Sequence, residues 1–216
     1  MSATRQAARP GTALLRRLRE PAPPQPERCA FCGLHLPSGH QHLVDTEERS
    51  LACACTACGM LFRQAGAAGD RYRAVPDRYL SDPGPGLDEA AWATLRIPVS
   101  TAFLFRNAVL DRLVALYPSP AGATESELDE ETCRAALTGT RLAGLLEPDV
   151  EALLLRRTGG RIQCLLVPID VCYELVGRMR LRWQGFDGGA EARADLDAFF
   201  RRVTGRAKAL PEEEPA

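Results

Sequence analysis

Short alternations of apolar and polar residues come first along this chain, and longer apolar stripes follow. Gln41-His-Leu-Val-Asp45 and Ser50-Leu-Ala-Cys53 flank the polar Thr46-Glu-Glu-Arg49, which predicts a small hairpin. Residues 88–95 predict a short helix with an acidic first turn. From 99 to 106 the chain alternates, with Val99, Thr101, Phe103 and Phe105 on one face, and 113–117 reads as the returning strand after a turn at Asn107. A continuous helix through these residues stays open, since no Gly or Pro interrupts them. Residues 117–126 read as a rigid loop rich in turn residues, ending in Ser126-Glu-Leu-Asp129, a capping-box pattern for a helix to about Leu137.

Two apolar runs, 149–155 and 162–167, surround Arg156-Arg-Thr-Gly-Gly160 and predict a second hairpin with a buried face. Asp170 opens a helix whose apolar positions are Cys172, Leu175, Val176, Met179 and Trp183, offsets that fit a 3.6-residue period. Residues 185–189 break the chain, and a last helix carries Ala192, Leu196, Phe199, Phe200 and Val203 on one stripe. The fold class expected is α+β: a small N-terminal zinc-ribbon or rubredoxin-like metal module, then an antiparallel sheet covered by helices. The division expected is a disordered tail and linker at 1–27, the metal module at 28–65, a linker at 66–87, the α+β domain at 88–204 and a disordered acidic tail at 205–216. Within the first tail, Leu14, Leu15 and Leu18 among arginines could form a short partner-binding helix before the proline-rich 21–26.

Composition narrows the function classes. A formal charge of −1 gives no general attraction to nucleic acid or to an acidic membrane. Lys208 is the single lysine, and the Ala, Gly, Pro and Leu content fits a GC-rich bacterial genome. There is no secretory apolar segment and no apolar run long enough to span a bilayer. A reducing cytoplasm is expected, where thiols hold metal rather than form disulfides.

Five of the eight cysteines fall between residues 29 and 58. Cys29-Ala-Phe-Cys32-Gly33 and Cys55-Thr-Ala-Cys58-Gly59 are two C-x-x-C-G units, each able to aim two sulfurs at one point. The glycine that follows is expected to curl the backbone with φ > 0. Cys29, Cys32, Cys55 and Cys58 are thus the expected metal ligands, with Cys53 outside, because a C-x-C pair cannot make the same knuckle. The module has too little core to fold alone; metal binding in comparable units contributes about 10–16 kcal/mol. Met60, Leu61 and Phe62 would pack against Phe31 and Leu34. Four thiolates accept Zn²⁺ or a single iron alike, and the thin apolar wrap favours zinc. His40 and His42 would share a strand face, either as surface residues or holding a second ion or replacing a thiolate.

Elsewhere the chemistry is sparse. Arg71-Tyr72-Arg73 and Arg78-Tyr79 read as packing tyrosines, with recognition of an anionic partner as the sharper alternative. Ser119, Thr124 and Glu125 could bind a ligand, but no His or Lys nearby would activate a serine. Cys133, Cys164 and Cys172 stand singly in apolar or helical surroundings, and Cys172 reads as a core residue. No acid–base pair and no phosphate-binding glycine loop supports an enzyme, so no catalytic residue is nominated.

Several strings together resemble a family of uncharacterised actinobacterial proteins commonly encoded beside nickel–iron uptake hydrogenases. They are the double knuckle with His40-Gln-His42-Leu-Val-Asp45, Arg71-Tyr-Arg-Ala-Val-Pro-Asp-Arg78, and the whole of 117–126. Pro148-Asp-Val-Glu-Ala-Leu-Leu154 and Pro168-Ile-Asp-Val-Cys-Tyr173 complete the set, over roughly residues 28–203. The resemblance carries no established activity. It implies a setting, hydrogenase production or use, and a protein partner among the hydrogenase or its assembly factors. The expectation is a non-catalytic accessory protein with a structural zinc. The alternative is a rubredoxin-like electron carrier with one iron at the same cysteines.

Overall fold

The first hairpin forms as its pattern requires. Strands β1 (Gln41–Asp45) and β2 (Ser50–Ala54) pair antiparallel from Gln41↔Ala54 to Asp45↔Ser50. Asp45 closes the turn by accepting the Glu47 and Glu48 N–H groups, both at 3.1 Å. The computed structural model describes residues 26–64, 66–84, 86–119, 122–182 and 189–212. The expected helix near Leu14, Trp183, and the start of the expected break at 185 lie outside those residues.

β3 (Tyr72–Ala74) adds to the other edge of β1, giving a three-stranded sheet in the order β2-β1-β3. A second sheet has seven strands in the order β10 (Lys208–Ala209), β4 (Leu80–Ser81), β9 (Arg161–Pro168), β8 (Glu151–Thr158), β5 (Thr101–Asn107), β6 (Arg112–Ser119), β7 (Gly122–Glu125). Its centre is the two expected hairpins: β5 (Thr101–Asn107) with β6 (Arg112–Ser119), and β8 (Glu151–Thr158) with β9 (Arg161–Pro168). Gly159 and Gly160 join β8 to β9 with φ of 58° and 75°, the left-handed backbone that a two-residue hairpin turn demands. β4 (Leu80–Ser81) pairs antiparallel with β9, and β10 (Lys208–Ala209) pairs parallel with β4. Residues 66–87 therefore contribute strands to both sheets, and Lys208 and Ala209 close the edge of the larger one.

Both faces of the large sheet are covered. Along β8, Leu154 faces the helices α4 (Ile169–Arg182) and α5 (Gly189–Arg206) through Leu175, Phe199 and Phe200. Its neighbours Leu153 and Leu155 face α2 (Glu89–Thr94) and α3 (Glu130–Ala136) through Trp92, Cys133 and Leu137. This double burial explains an uninterrupted leucine run where a one-sided sheet would alternate. Val44 of β1 joins the first of these cores, with Leu51 and Val75 packed against it, so the small sheet rests on the large one. Among the described residues no helix is long and apolar enough to cross a membrane.

Two expectations fail at residues 117–129. The stretch 117–126 is not a loop: β6 runs to Ser119, and β7 (Gly122–Glu125) returns beside it from Ser119↔Gly122 to Leu116↔Glu125. Pro118 is tolerated because β5 pairs with β6 only as far as Leu116, so the missing N–H interrupts no second ladder. The helix N-cap is Asp129, whose carboxylate accepts the Thr132 N–H at 2.7 Å. Ser126 is committed elsewhere, its N–H donating to Ala115 and its hydroxyl to Leu95.

Candidate metal centre

The first knuckle grows from an isolated bridge between Arg28 and His35. The Cys29 N–H donates to the Leu34 carbonyl at 2.8 Å, and the Gly33 N–H returns to the Cys29 carbonyl at 2.9 Å, with Gly33 at φ 74°. The second knuckle is built differently. Cys55 is the N-cap of the short helix α1 (Thr56–Leu61), and its sulfur accepts the Cys58 N–H at 3.4 Å. Gly59 lies inside that helix, so the expected positive φ holds for Gly33 and not for Gly59. The Ala30 N–H donates to the Cys53 carbonyl at 2.8 Å, tying the first knuckle to β2 and bringing the two together.

The four sulfurs of Cys29, Cys32, Cys55 and Cys58 lie within 4.8 Å of one another. Cys32 Sγ and Cys55 Sγ are 3.8 Å apart. A tetrahedron with metal–sulfur bonds of about 2.3 Å has edges of about 3.8 Å, so the spacing fits one ion at the centre. Electrostatics agree. Burial pushes the Cys29 thiol up, but backbone N–H groups of Cys55, Cys32 and Phe31 outweigh it and bring it to about 6. The Cys58 thiol is pushed up to about 12, first by its contact with the Cys55 side chain and then by burial and by Cys32 and Cys29. Sulfurs this close raise the proton affinity of Cys58, and a bound cation would relieve the repulsion between their thiolates.

The apolar wrap is thin. Phe31, Phe62 and Tyr72 pack together, tilted or edge-on, with centroids 4.9–5.3 Å apart. Leu34, Met60 and Leu61, expected to complete the wrap, are all more than half exposed. Cys29 is buried and Cys32 exposed, so the cluster sits at the surface with its first sulfur innermost.

A second group of donors was not foreseen as a unit: His40, His42 and Cys53 also come within 4.8 Å of one another. The signal lies in the hairpin register, since a turn at 46–49 places His42 opposite Cys53. The imidazoles pack edge-on at 4.7 Å between centroids. His40 is no surface residue, its side chain being 5% exposed.

A family model matches residues 28–207. The chain belongs to DUF5947, a family of unknown function. The range matched to DUF5947 takes in both donor groups and the sheet as far as α5. No curated protein and no solved structure matches the chain.

The remaining candidates are structural. Arg71 binds Asp45 through Nε and Nη2, Arg73 donates to the Pro148 carbonyl at 2.6 Å, and Arg78 holds the fully buried Glu151 at 2.6 and 2.8 Å. Tyr72 and Tyr79 pack as expected, the latter under the Arg206 guanidinium at 3.9 Å. Thr124 donates to Ser119 at 3.0 Å, and Glu125 pairs with Arg112 on the neighbouring strand at 2.8 Å. Cys133 and Cys172 are core residues, and burial pushes Cys164 up to about 12 and Cys172 well above its ordinary value.

Proposed function

We propose that this protein is a non-catalytic accessory protein in which Zn²⁺ at Cys29, Cys32, Cys55 and Cys58 holds a module of residues 28–65 in shape beside an α+β domain of residues 88–204. The 3.8 Å separation of Cys32 and Cys55 sulfurs carries the reading, because it matches the edge of a zinc–thiolate tetrahedron. A structural role fits the setting: four protein donors leave no open position, and the module's buried apolar side chains are small in number, chiefly Leu43, Val44 and Ala54 beside the rings of Phe31 and Phe62. The exposed Leu34, Met60 and Leu61 border the cysteines and form the surface that a protein partner would cover. The resemblance alone supplies the partner's setting, the assembly or service of a nickel–iron hydrogenase in the cytoplasm.

One observation favours a second reading. Cys32 is exposed, which would give a single iron at the same sulfurs a route for electron transfer. Zinc ranks first because the apolar wrap is thin, with Leu34, Met60 and Leu61 all exposed.

The ligand set is tested by Cys55→Ser and Cys53→Ser. The first should release the ion and loosen residues 28–64, and the second should keep the four-cysteine ion. Equal loss in both would overturn the assignment.

A further inference from the structure

Beside the four cysteines, the hairpin carries donors that the structural zinc does not use. His40 Nδ1 lies 2.9 Å from the Pro37 carbonyl and 3.5 Å from a Glu27 carboxylate oxygen, and both are acceptors. Nδ1–H therefore points at them, and Nε2 is the ring nitrogen whose lone pair is left for a ligand. That Nε2 is buried and has no hydrogen-bond partner among the described residues. An imidazole 95% removed from solvent with its lone pair unanswered is arranged as a ligand is.

His42 is prepared in the same sense. Its Nδ1–H donates to Asp170 Oδ2 at 2.7 Å, across from the first turn of α4. A carboxylate on one ring nitrogen fixes the tautomer, aims the other nitrogen and raises its basicity, the arrangement of a metal-ligating histidine. Cys53, cross-strand from His42, supplies the third donor.

We propose that His40, His42 and Cys53 form a second metal site, oriented by Asp170, for one borderline first-row cation such as Zn²⁺ or Co²⁺. Two imidazoles and one thiolate suit such ions over Mg²⁺ or Ca²⁺, which prefer oxygen. The site differs in kind from the cysteine cluster. Three protein donors leave a fourth position for water or another exchangeable ligand. His40, His42 and Asp170 line a cleft of about 1060 Å³ whose wall also includes Cys55, Tyr79 and Arg206, so that position has an approach from solvent. The inference does not require a metal at the four cysteines.

Cobalt titration of the metal-free, reduced protein tests it, read by visible absorption and by the mass of the intact complex. The wild type should take two Co²⁺ per chain. His42→Ala and Cys53→Ser should each take one and keep the absorption of the four-thiolate site, which also shows that the module has folded. Asp170→Ala should weaken the second equivalent about 10–100-fold and leave the first unchanged. A wild type that takes one equivalent, retained by His42→Ala and lost in Cys55→Ser, overturns the second site. One equivalent lost in His42→Ala and retained in Cys55→Ser overturns the four-cysteine reading instead. Two equivalents in every one of these variants also overturns the proposal.

Discussion

His42 and Asp170 stand 128 residues apart in sequence, and their side chains meet at 2.7 Å. This contact joins β1 of the small sheet to the first turn of α4, beside the place where Val44 enters the core of the large sheet. The cysteine-bearing hairpin is thus fastened to the larger sheet and α4 by polar contacts, which include Tyr173 to the Arg49 carbonyl, and by apolar ones through Val44 and Leu51, and its order should be felt beyond its own strands. Chelation should raise hydrogen exchange most at the β1–β2 amides, such as Leu43 and Ala52, while the β8–β9 amides stay protected. Uniform acceleration across both sheets, or none in the hairpin, would contradict this division.

Glu151 is fully buried and is held by Arg78 in a two-point contact, with the Glu147 N–H also donating to it at 3.0 Å. Arg78→Ala leaves a buried carboxylate without its cation. The expected loss is about 2–4 kcal/mol in urea unfolding, below that of a fully buried pair because water reaches the guanidinium. Replacing both residues with apolar ones of similar volume should recover much of the loss.

Leu154 is fully buried between the sheet and α4 and α5, whereas Leu181 near the end of α4 is 88% exposed. Leu154→Ala should cost about 2–5 kcal/mol, and Leu181→Ala less than about 0.5 kcal/mol. Comparable losses would show that the core is not where these strands place it.

Asp82 is held by Arg141 at 2.6 and 3.0 Å and accepts the Arg141 N–H, and the guanidinium contact brings its carboxyl from 3.8 down to about 2. Asp45 is lowered equally, first by Arg71. A carboxyl with a lower pKa in the folded state stabilises the fold above the unfolded value. As pH falls, the unfolded chain takes up protons first, so this stability is lost between about pH 4 and 2. Asp82 lies away from the cysteines, so the difference in stability between wild type and Asp82→Asn should shrink across that window. A constant difference would contradict the ion pair.

Much of this was legible because local patterns agreed with the tertiary answer. Gly159-Gly160 between apolar runs could hardly be other than a hairpin turn, and the stripe Cys172, Leu175, Met179 is the buried face of α4. The four cysteines were readable because metal-ligand spacing is a local property. Residues 117–125 were misread since their turn residues outweighed strand propensity locally, while pairing between β6 and β7 decided the outcome. The two-residue strands β4 and β10 carry too little pattern to be seen, and only their long-range pairing defines them. The histidine–cysteine group needed two steps at once: the register that sets Cys53 against His42, and the burial of His40, which follows from packing that no spacing reports.

The most direct test of the central claim is the zinc and iron content of Cys53→Ser protein purified without added metal, taken with its visible spectrum. This variant leaves the four-cysteine cluster intact and removes a donor of the second site. The account predicts a colourless protein with one zinc per chain, whereas a red protein with one iron per chain, bleaching reversibly on reduction, would contradict it.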